Sequence, residues 1–339
     1  MTTMRVAQVT KPGGKFEIVE RELPEPDAGQ VRVTVEACGI CHSDEVVVNG
    51  WLPGTTFPVV SGHEIAGRID ALGDGVSGWR VGQRVGVGWF GGSCGHCPRC
   101  RGGDFITCPQ LRIPGVAYQG GFADAVVVPA DALAAVPARL SAVEAAPLMC
   151  AGVTTYNALR HSVARSGDTV AVLGLGGLGH LAVQYATRLG FRTVAIARGR
   201  HKEEFARQLG AHEYIDSTTQ DVAQALNDLG GARVVLATVT AADAMSAAVD
   251  GLSARGQLVL AGASNDALRI SPLQLIFGSK SVVGHASGTS RDSEEALEFS
   301  VLTGVRAMTE TIALPELNSG FDRMLSGDIR FRAVVTTGR

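Results

Sequence analysis

The sequence predicts an α/β chain in which a doubly wound parallel sheet is joined to a second, β-rich domain. Three observations predict it. At 339 residues the chain exceeds what one core usually organises. From about Thr169 apolar strands alternate with helical patterns, as parallel βαβ units require. Before about Ser141, short alternating strands are punctuated by turns and helical patterns are scarce.

Taken in order, Val31 to Val35 reads Val-Arg-Val-Thr-Val, the period-2 signature of a half-buried strand. Gly67 to Gly73 and Ala125 to Val128 are further strands in this first part. The chain's 43 glycines include the doublets Gly91-Gly92 and Gly102-Gly103, which suit tight turns in an irregular β-rich domain. Thr169 to Leu173 is then a strand, Leu178 to Leu189 a helix and Thr193 to Ala197 a second strand. Lys202 to Leu209 reads as a helix, and Val234 to Ala237 and Gln257 to Ala261 as strands. Val282 and Val283 begin one more, and after about Gly284 the pattern is mixed again.

Composition narrows the function. Hydrophobic residues at 45% and charged residues at 19% fit a soluble globular chain with a large buried fraction. A net charge of -3 and a pI near 6.2 leave no basic surplus, so nucleic acid is not an expected partner. No charged start precedes an apolar run, and no segment approaches about 18 apolar residues. Neither a secretory signal nor a membrane span is expected, which makes the cytoplasm the expected location.

The segment Thr169-Val-Ala-Val-Leu-Gly174-Leu-Gly176-Gly177-Leu178-Gly179 sets Gly-x-Gly-x-x-Gly directly after an apolar strand and before a helix. The first glycine permits the tight turn, and the second lets the backbone approach a pyrophosphate. The third allows close helix–strand packing, with the helix N-terminus facing the phosphates. Inside a βαβ unit this pattern predicts a Rossmann-type dinucleotide site. The second strand ends Ala195-Ile-Ala197-Arg198-Gly199-Arg200, with no acid to hold the adenosine ribose. Without that carboxylate a 2′-phosphate is not repelled, and Arg198 and Arg200 can pair with it. NADP(H) is therefore expected ahead of NAD(H).

Seven cysteines are an odd set, and four crowd together as Cys94-Gly-His-Cys97-Pro-Arg-Cys100 followed by Cys108. Four thiolates so close in sequence can wrap one tetrahedral Zn²⁺ with no open position, a structural site. An iron–sulfur cluster also uses C-x2-C-x2-C but usually continues with a three-residue gap, against seven here. His96, inside the array, is expected to be a bystander.

A second set is dispersed. Cys41 lies in Gly39-Ile-Cys41-His42-Ser43-Asp44, His63 in Gly62-His63-Glu64-Ile-Ala-Gly67, and Cys150 stands alone. With these motifs the chain resembles, over essentially its whole length, the zinc-containing alcohol dehydrogenases of the medium-chain dehydrogenase/reductase family. The resemblance implies a GroES-like catalytic domain at 1–152 and 285–339, with a zinc lobe at about 91–110. It implies a Rossmann domain at 153–284. It implies Cys41, His63 and Cys150 as catalytic zinc ligands, Glu64 as a neighbouring acid that approaches that zinc, and Asp44 as the carboxylate orienting the ligand histidine. Ser43 matches the hydroxyl that bonds the substrate oxygen, and His42 a position at the cofactor pyrophosphate. Trp51 and Trp89 match aromatics around the substrate. Val46 stands where many members carry a proton-relaying histidine, so the relay would finish through a ribose hydroxyl and water, or through His42. Cys38 falls outside these sets and reads as a small buried residue.

The resemblance further implies two zinc ions per chain and hydride transfer between an alcohol, or an aldehyde or ketone, and the nicotinamide. A homo-oligomer is expected by the same analogy, a tetramer ahead of a dimer. Two other readings compete: a polyol or sugar dehydrogenase with the same zinc site, and a nucleotide-binding member without activity. A member without activity would be expected to lack one of Cys41, His63 or Cys150, and all three are present.

Overall fold

The computed structural model describes residues 2–338. They form two compact units, Thr154–Ser287 and the rest of the described residues.

In Thr154–Ser287 six strands form one sheet in the spatial order Glu213–Asp216, Arg192–Ala197, Thr169–Leu173, Ala232–Ala237, Leu252–Leu260, Ser281–Gly284. Every pairing is parallel. Strand Thr169–Leu173 has burial on almost every residue, as expected where both faces of a parallel sheet are covered. The first strand lies beside the fourth, so the strand order reverses there. Ligands of open α/β sheets bind at that switch point, and the glycine-rich segment leaves the sheet at this place to start the helix Gly179–Arg188.

The expected strands are present with small shifts of their ends. Leu252–Leu260 starts five residues earlier than the Gln257 expected, and the register of its partner is irregular between Ala232 and Val234. Glu213–Asp216 is a strand that periodicity did not suggest: four residues, Glu-Tyr-Ile-Asp, are too few to display a pattern.

The other unit is built on a mixed sheet in the order Thr309–Ala313, Arg332–Thr336, Gln30–Gly39, Glu64–Leu72, Arg84–Val87, Leu133–Ala135. Ala125–Pro129 also pairs with Gln30–Gly39. Val31, Val33 and Val35 are fully buried, and they anchor a core that Ile65, Ile69, Val85 and Phe122 extend. The C-terminal segment returns here, with Val334, Val335 and Thr336 opposite Gly39, Cys38 and Ala37. That pairing places the first residue of the last strand, Arg332, beside the start of Glu64–Leu72. Cys38 is buried as expected, its sulfur packed where Cβ atoms on Gly62 or Gly121 would stand. Among the described residues no helix is long and apolar enough to cross a membrane.

Candidate active site

Two short sequence stretches meet through one carboxylate. Cys41 is the N-cap of the helix His42–Val48, and the Asp44 carboxylate accepts its N–H at 2.9 Å. The other Asp44 oxygen accepts the Gly62 N–H at 2.9 Å and lies 3.3 Å from His63 Nδ1. Asp44 and His63 are both fully buried. Gly62 has φ +99°, and a Cβ there would stand 2.9 Å from the Phe122 nitrogen, so only glycine turns the chain at this point.

Glu64 opens the next strand opposite Gly39, where a Cβ would fall 2.0 Å from its carboxylate. Glycine at 39 therefore makes the room that Glu64 occupies. Cys150 ends the turn Ala146–Met149 and precedes the helix Ala151–Arg160. The ligand atoms of Cys41, His63, Glu64 and Cys150 all lie within 4.8 Å of one another. Ser43 places its hydroxyl 3.8 Å from the Cys41 sulfur, and His42 is exposed beyond it.

The second cluster is local. The sulfurs of Cys94, Cys97, Cys100 and Cys108 stand 3.5 to 4.0 Å apart in the pairs that touch. A tetrahedral Zn–S₄ site with bonds of about 2.3 Å requires sulfurs about 3.8 Å apart, so this spacing suits one metal rather than a larger cluster. Backbone N–H groups of Cys97, Cys100 and Gln110 point at sulfurs 3.4 to 3.5 Å away. The N–H groups of His96 and Cys97 lower the Cys94 thiol to about 6, favouring the thiolate that binds metal. The His96 ring is exposed, with Nδ1 2.7 Å from the Cys94 carbonyl oxygen, and the ligand group is the four cysteines without it.

In the glycine-rich turn, Gly174 has φ +105°, and a Cβ on Gly179 would stand 2.0 Å from the Gly174 oxygen. The fold needs glycine at both. Gly176 differs: a Cβ there would meet nothing within 4 Å. The protein's own packing places no demand for glycine at 176, whereas a ligand lying against the backbone would. Gly177 and Leu178 complete the turn, Leu178 being the residue before the helix.

The alcohol dehydrogenase GroES-like domain family matches residues 27–138, and the zinc-binding dehydrogenase family matches residues 177–301. An alcohol dehydrogenase of Penicillium expansum, patD, is 39% identical over 335 residues, which cover 99% of this chain and 98% of that protein. The chain belongs to the zinc-containing medium-chain alcohol dehydrogenase family. It is an NAD(P)-dependent zinc alcohol dehydrogenase. An alcohol dehydrogenase of Geobacillus stearothermophilus is 38% identical over 334 residues, covering 98% of each chain. The solved cinnamyl alcohol dehydrogenase of Sorghum bicolor is 30% identical, covers 99% of this chain and 98% of its own, and superposes with a TM-score of 0.90.

The dispersed cluster of this dehydrogenase also fits a zinc ion on its own chemistry. Two sulfurs, an imidazole and a carboxylate are a zinc donor set. His63 Nε2 and Glu64 Oε2 are buried polar atoms without a hydrogen-bond partner, a costly state that coordination would relieve. Burial pushes the Glu64 carboxyl up to about 7, against the opposing pull of Arg332.

Arg332 is the residue that sequence reasoning missed. It is 4% exposed, and its guanidinium donates to Glu64 Oε1. No motif links positions 268 apart. The available signal was a lone cation opening the apolar run Ala333-Val-Val335, since a charge is rarely buried unpaired.

The two tryptophans separate. Trp89 stacks edge-to-face on His63 with ring centroids 5.0 Å apart. Trp51 lies just beyond the helix His42–Val48 and is 63% exposed. Val46, half-buried on that helix, has no group to move a proton.

Proposed function

We propose that this dehydrogenase interconverts primary or secondary alcohols with their aldehydes or ketones at Cys41, His63 and Cys150, using NADP(H) ahead of NAD(H). When bound, zinc supplies the Lewis acidity that lowers the pKa of an alcohol, and the nicotinamide carries the hydride. The chain's own residues do the rest. Asp44 orients His63 through Nδ1 and leaves Nε2 for the metal. Ser43, its hydroxyl 3.8 Å from the Cys41 sulfur, takes the alcohol proton and hands it on, with His42 exposed next in line. Trp89 excludes water on the His63 side and presents an apolar wall, which favours an aliphatic or aromatic alcohol over a polyol.

The observation that carries the cofactor choice is the end of the strand Arg192–Ala197. Arg198 is exposed just after it, and the Arg200 side chain is 90% exposed. The nearby acid, Asp216, is already engaged: it accepts from the Gly199 N–H at 2.8 Å and from the Thr218 N–H and hydroxyl at 3.0 and 2.7 Å. Those bonds hold its carboxyl below the usual range. These three bonds all fall on Oδ1 and turn it toward its own loop, and the two arginines offer charge to a 2′-phosphate.

Steady-state rates with an aldehyde panel test this. NADPH is expected to be oxidised faster than NADH. Arg198→Ala should lower kcat/KM for NADPH about tenfold, the worth of one charged contact, while the value for NADH moves less than about twofold. A wild-type preference for NADH would end the NADP reading and leave the enzyme class untouched.

The same proposal includes self-association through the edge strand Ser281–Gly284, which is last in its sheet. Leu273, Ile276 and Phe277 are 61%, 66% and 87% exposed and Val283 is also exposed. An open edge beside exposed apolar side chains suits a second copy of this chain across a two-fold axis. Light scattering should give an oligomer for the wild type and a smaller species for Phe277→Arg. Equal masses for the two would remove this surface from the interface.

A further inference from the structure

Two side chains outside the glycine motif fix the shape of the turn Gly174–Gly179. Thr238 follows the strand Ala232–Ala237, on the side where the strand order reverses. Its N–H donates to the Leu173 oxygen at 2.9 Å. Its hydroxyl lies 3.0 Å from the Leu173 oxygen and 3.3 Å from the Gly174 oxygen. The same hydroxyl oxygen is wedged between the two glycines that the fold requires. A Cβ on Gly174 would stand 2.8 Å from it, and one on Gly179 would stand 3.2 Å away.

His180 acts from the helix. It is fully buried, and its Nδ1 lies 3.0 Å from the Gly176 oxygen, which also accepts the His180 N–H at 3.0 Å. A ring nitrogen facing a carbonyl oxygen must carry the proton, so Nδ1 is the donor. The carbonyls of Leu173, Gly174 and Gly176 are thereby held by protein donors. In a trans peptide the N–H points opposite to the preceding C=O. Fixing the Gly176 carbonyl toward His180 therefore turns the Gly177 N–H the other way, beside the exposed backbone of Gly176. An N–H so placed at a helix start suits a phosphate oxygen.

We infer that Thr238 and His180 are positioning residues for the cofactor pyrophosphate, acting through the carbonyls of the glycine-rich turn rather than by touching the nucleotide. This rests on the reading of that turn as the cofactor's seat. Both cofactors share the pyrophosphate, so the effect must be equal for the two. That separates it from Arg198, whose loss changes their ratio.

Thr238→Val keeps the side-chain shape and removes the hydroxyl. It should raise KM for NADPH and for NADH by one common factor of about five to ten, the loss of a hydrogen bond. The ratio between cofactors should stay constant, with kcat at saturating cofactor within about twofold. Thr238→Ser, which restores the hydroxyl, should recover most of the loss, and His180→Leu should repeat the common rise. Inhibition constants give a second readout: ADP-ribose, which carries the pyrophosphate, should weaken in T238V, and adenosine, which lacks it, should not. Unchanged KM values, a T238S variant as impaired as T238V, or equal weakening of adenosine and ADP-ribose would each overturn the inference. A wild-type enzyme that bound neither NADPH nor NADH in a fluorescence titration would instead remove the cofactor reading beneath it.

Discussion

His63→Ala is expected to lower kcat by about a thousandfold or more, to reduce bound zinc from two ions per chain to one, and to leave the protein folded. Lewis-acid stabilisation is worth several kcal/mol at the transition state, and 1.36 kcal/mol is a factor of ten in rate. The fold should survive because the partner left behind is not stranded. The Asp44 carboxylate still accepts the N–H groups of Cys41 and Gly62, each at 2.9 Å. Two backbone donors satisfy a buried carboxylate well. The variant also removes the ring on which Trp89 stacks, so a modest loss in Tm is expected, in the range of an ordinary buried substitution. Metal analysis, circular dichroism and turnover on the same sample check it together. A variant with one zinc, a native spectrum and more than about a tenth of wild-type turnover would show that this cluster is not where the chemistry occurs.

What could be read in the sequence was local. The glycine-rich turn and the four cysteines each lie within a short stretch, so residue type and spacing alone imply the geometry that Gly174, Gly179 and the four sulfurs display. The strands Thr169–Leu173 and Ala232–Ala237 were legible through their apolar runs Val170 to Leu173 and Val234 to Ala237, which burial on both faces requires. Cys41, His63 and Cys150 were different. Nothing in the spacing of positions so far apart says that they converge, and only family resemblance suggested it.

The partner of Arg332 was hidden for the same reason, since a strand pairing brings residue 332 to residue 64. The helix His42–Val48, seven residues long, is too short for its period to stand out. Its start is set by the Asp44 capping contact rather than by an apolar face. Thr238 illustrates a further limit. A threonine after an apolar strand carries no signal in one dimension, and its role emerges only where two parallel strands lie side by side at the switch point.

Cys97→Ser is expected to open the zinc lobe locally without unfolding the chain. From Cys94 to Cys108 the apolar support is thin: Cys100 and Cys108 are buried, while Phe105 is 38% exposed. Such a loop cannot offset its ordering entropy by burial, so its closed form is expected to depend on the sulfurs and a metal bound between them. Its base is fastened separately. The Gly91 N–H donates to the Arg112 oxygen and the Arg112 N–H to the Gly92 oxygen, the Tyr118 hydroxyl donates to the Gly91 oxygen, and the Arg112 guanidinium donates to the Ser93 oxygen.

Losing one sulfur should therefore free residues 94–108 and stop at those contacts. If metal binding closes the lobe by at least about 3 kcal/mol, protease susceptibility within it should rise on the order of a hundredfold, because cleavage follows the population of the open form. Zinc content should fall to one ion per chain, and turnover measured before cleavage should stay close to wild type, because Cys41, His63 and Cys150 lie outside the lobe. Limited proteolysis with mass spectrometry locates the cut. A lobe that stayed protected with a single zinc would mean that its shape is set by the contacts at its base, and that the four cysteines hold a metal the fold does not need.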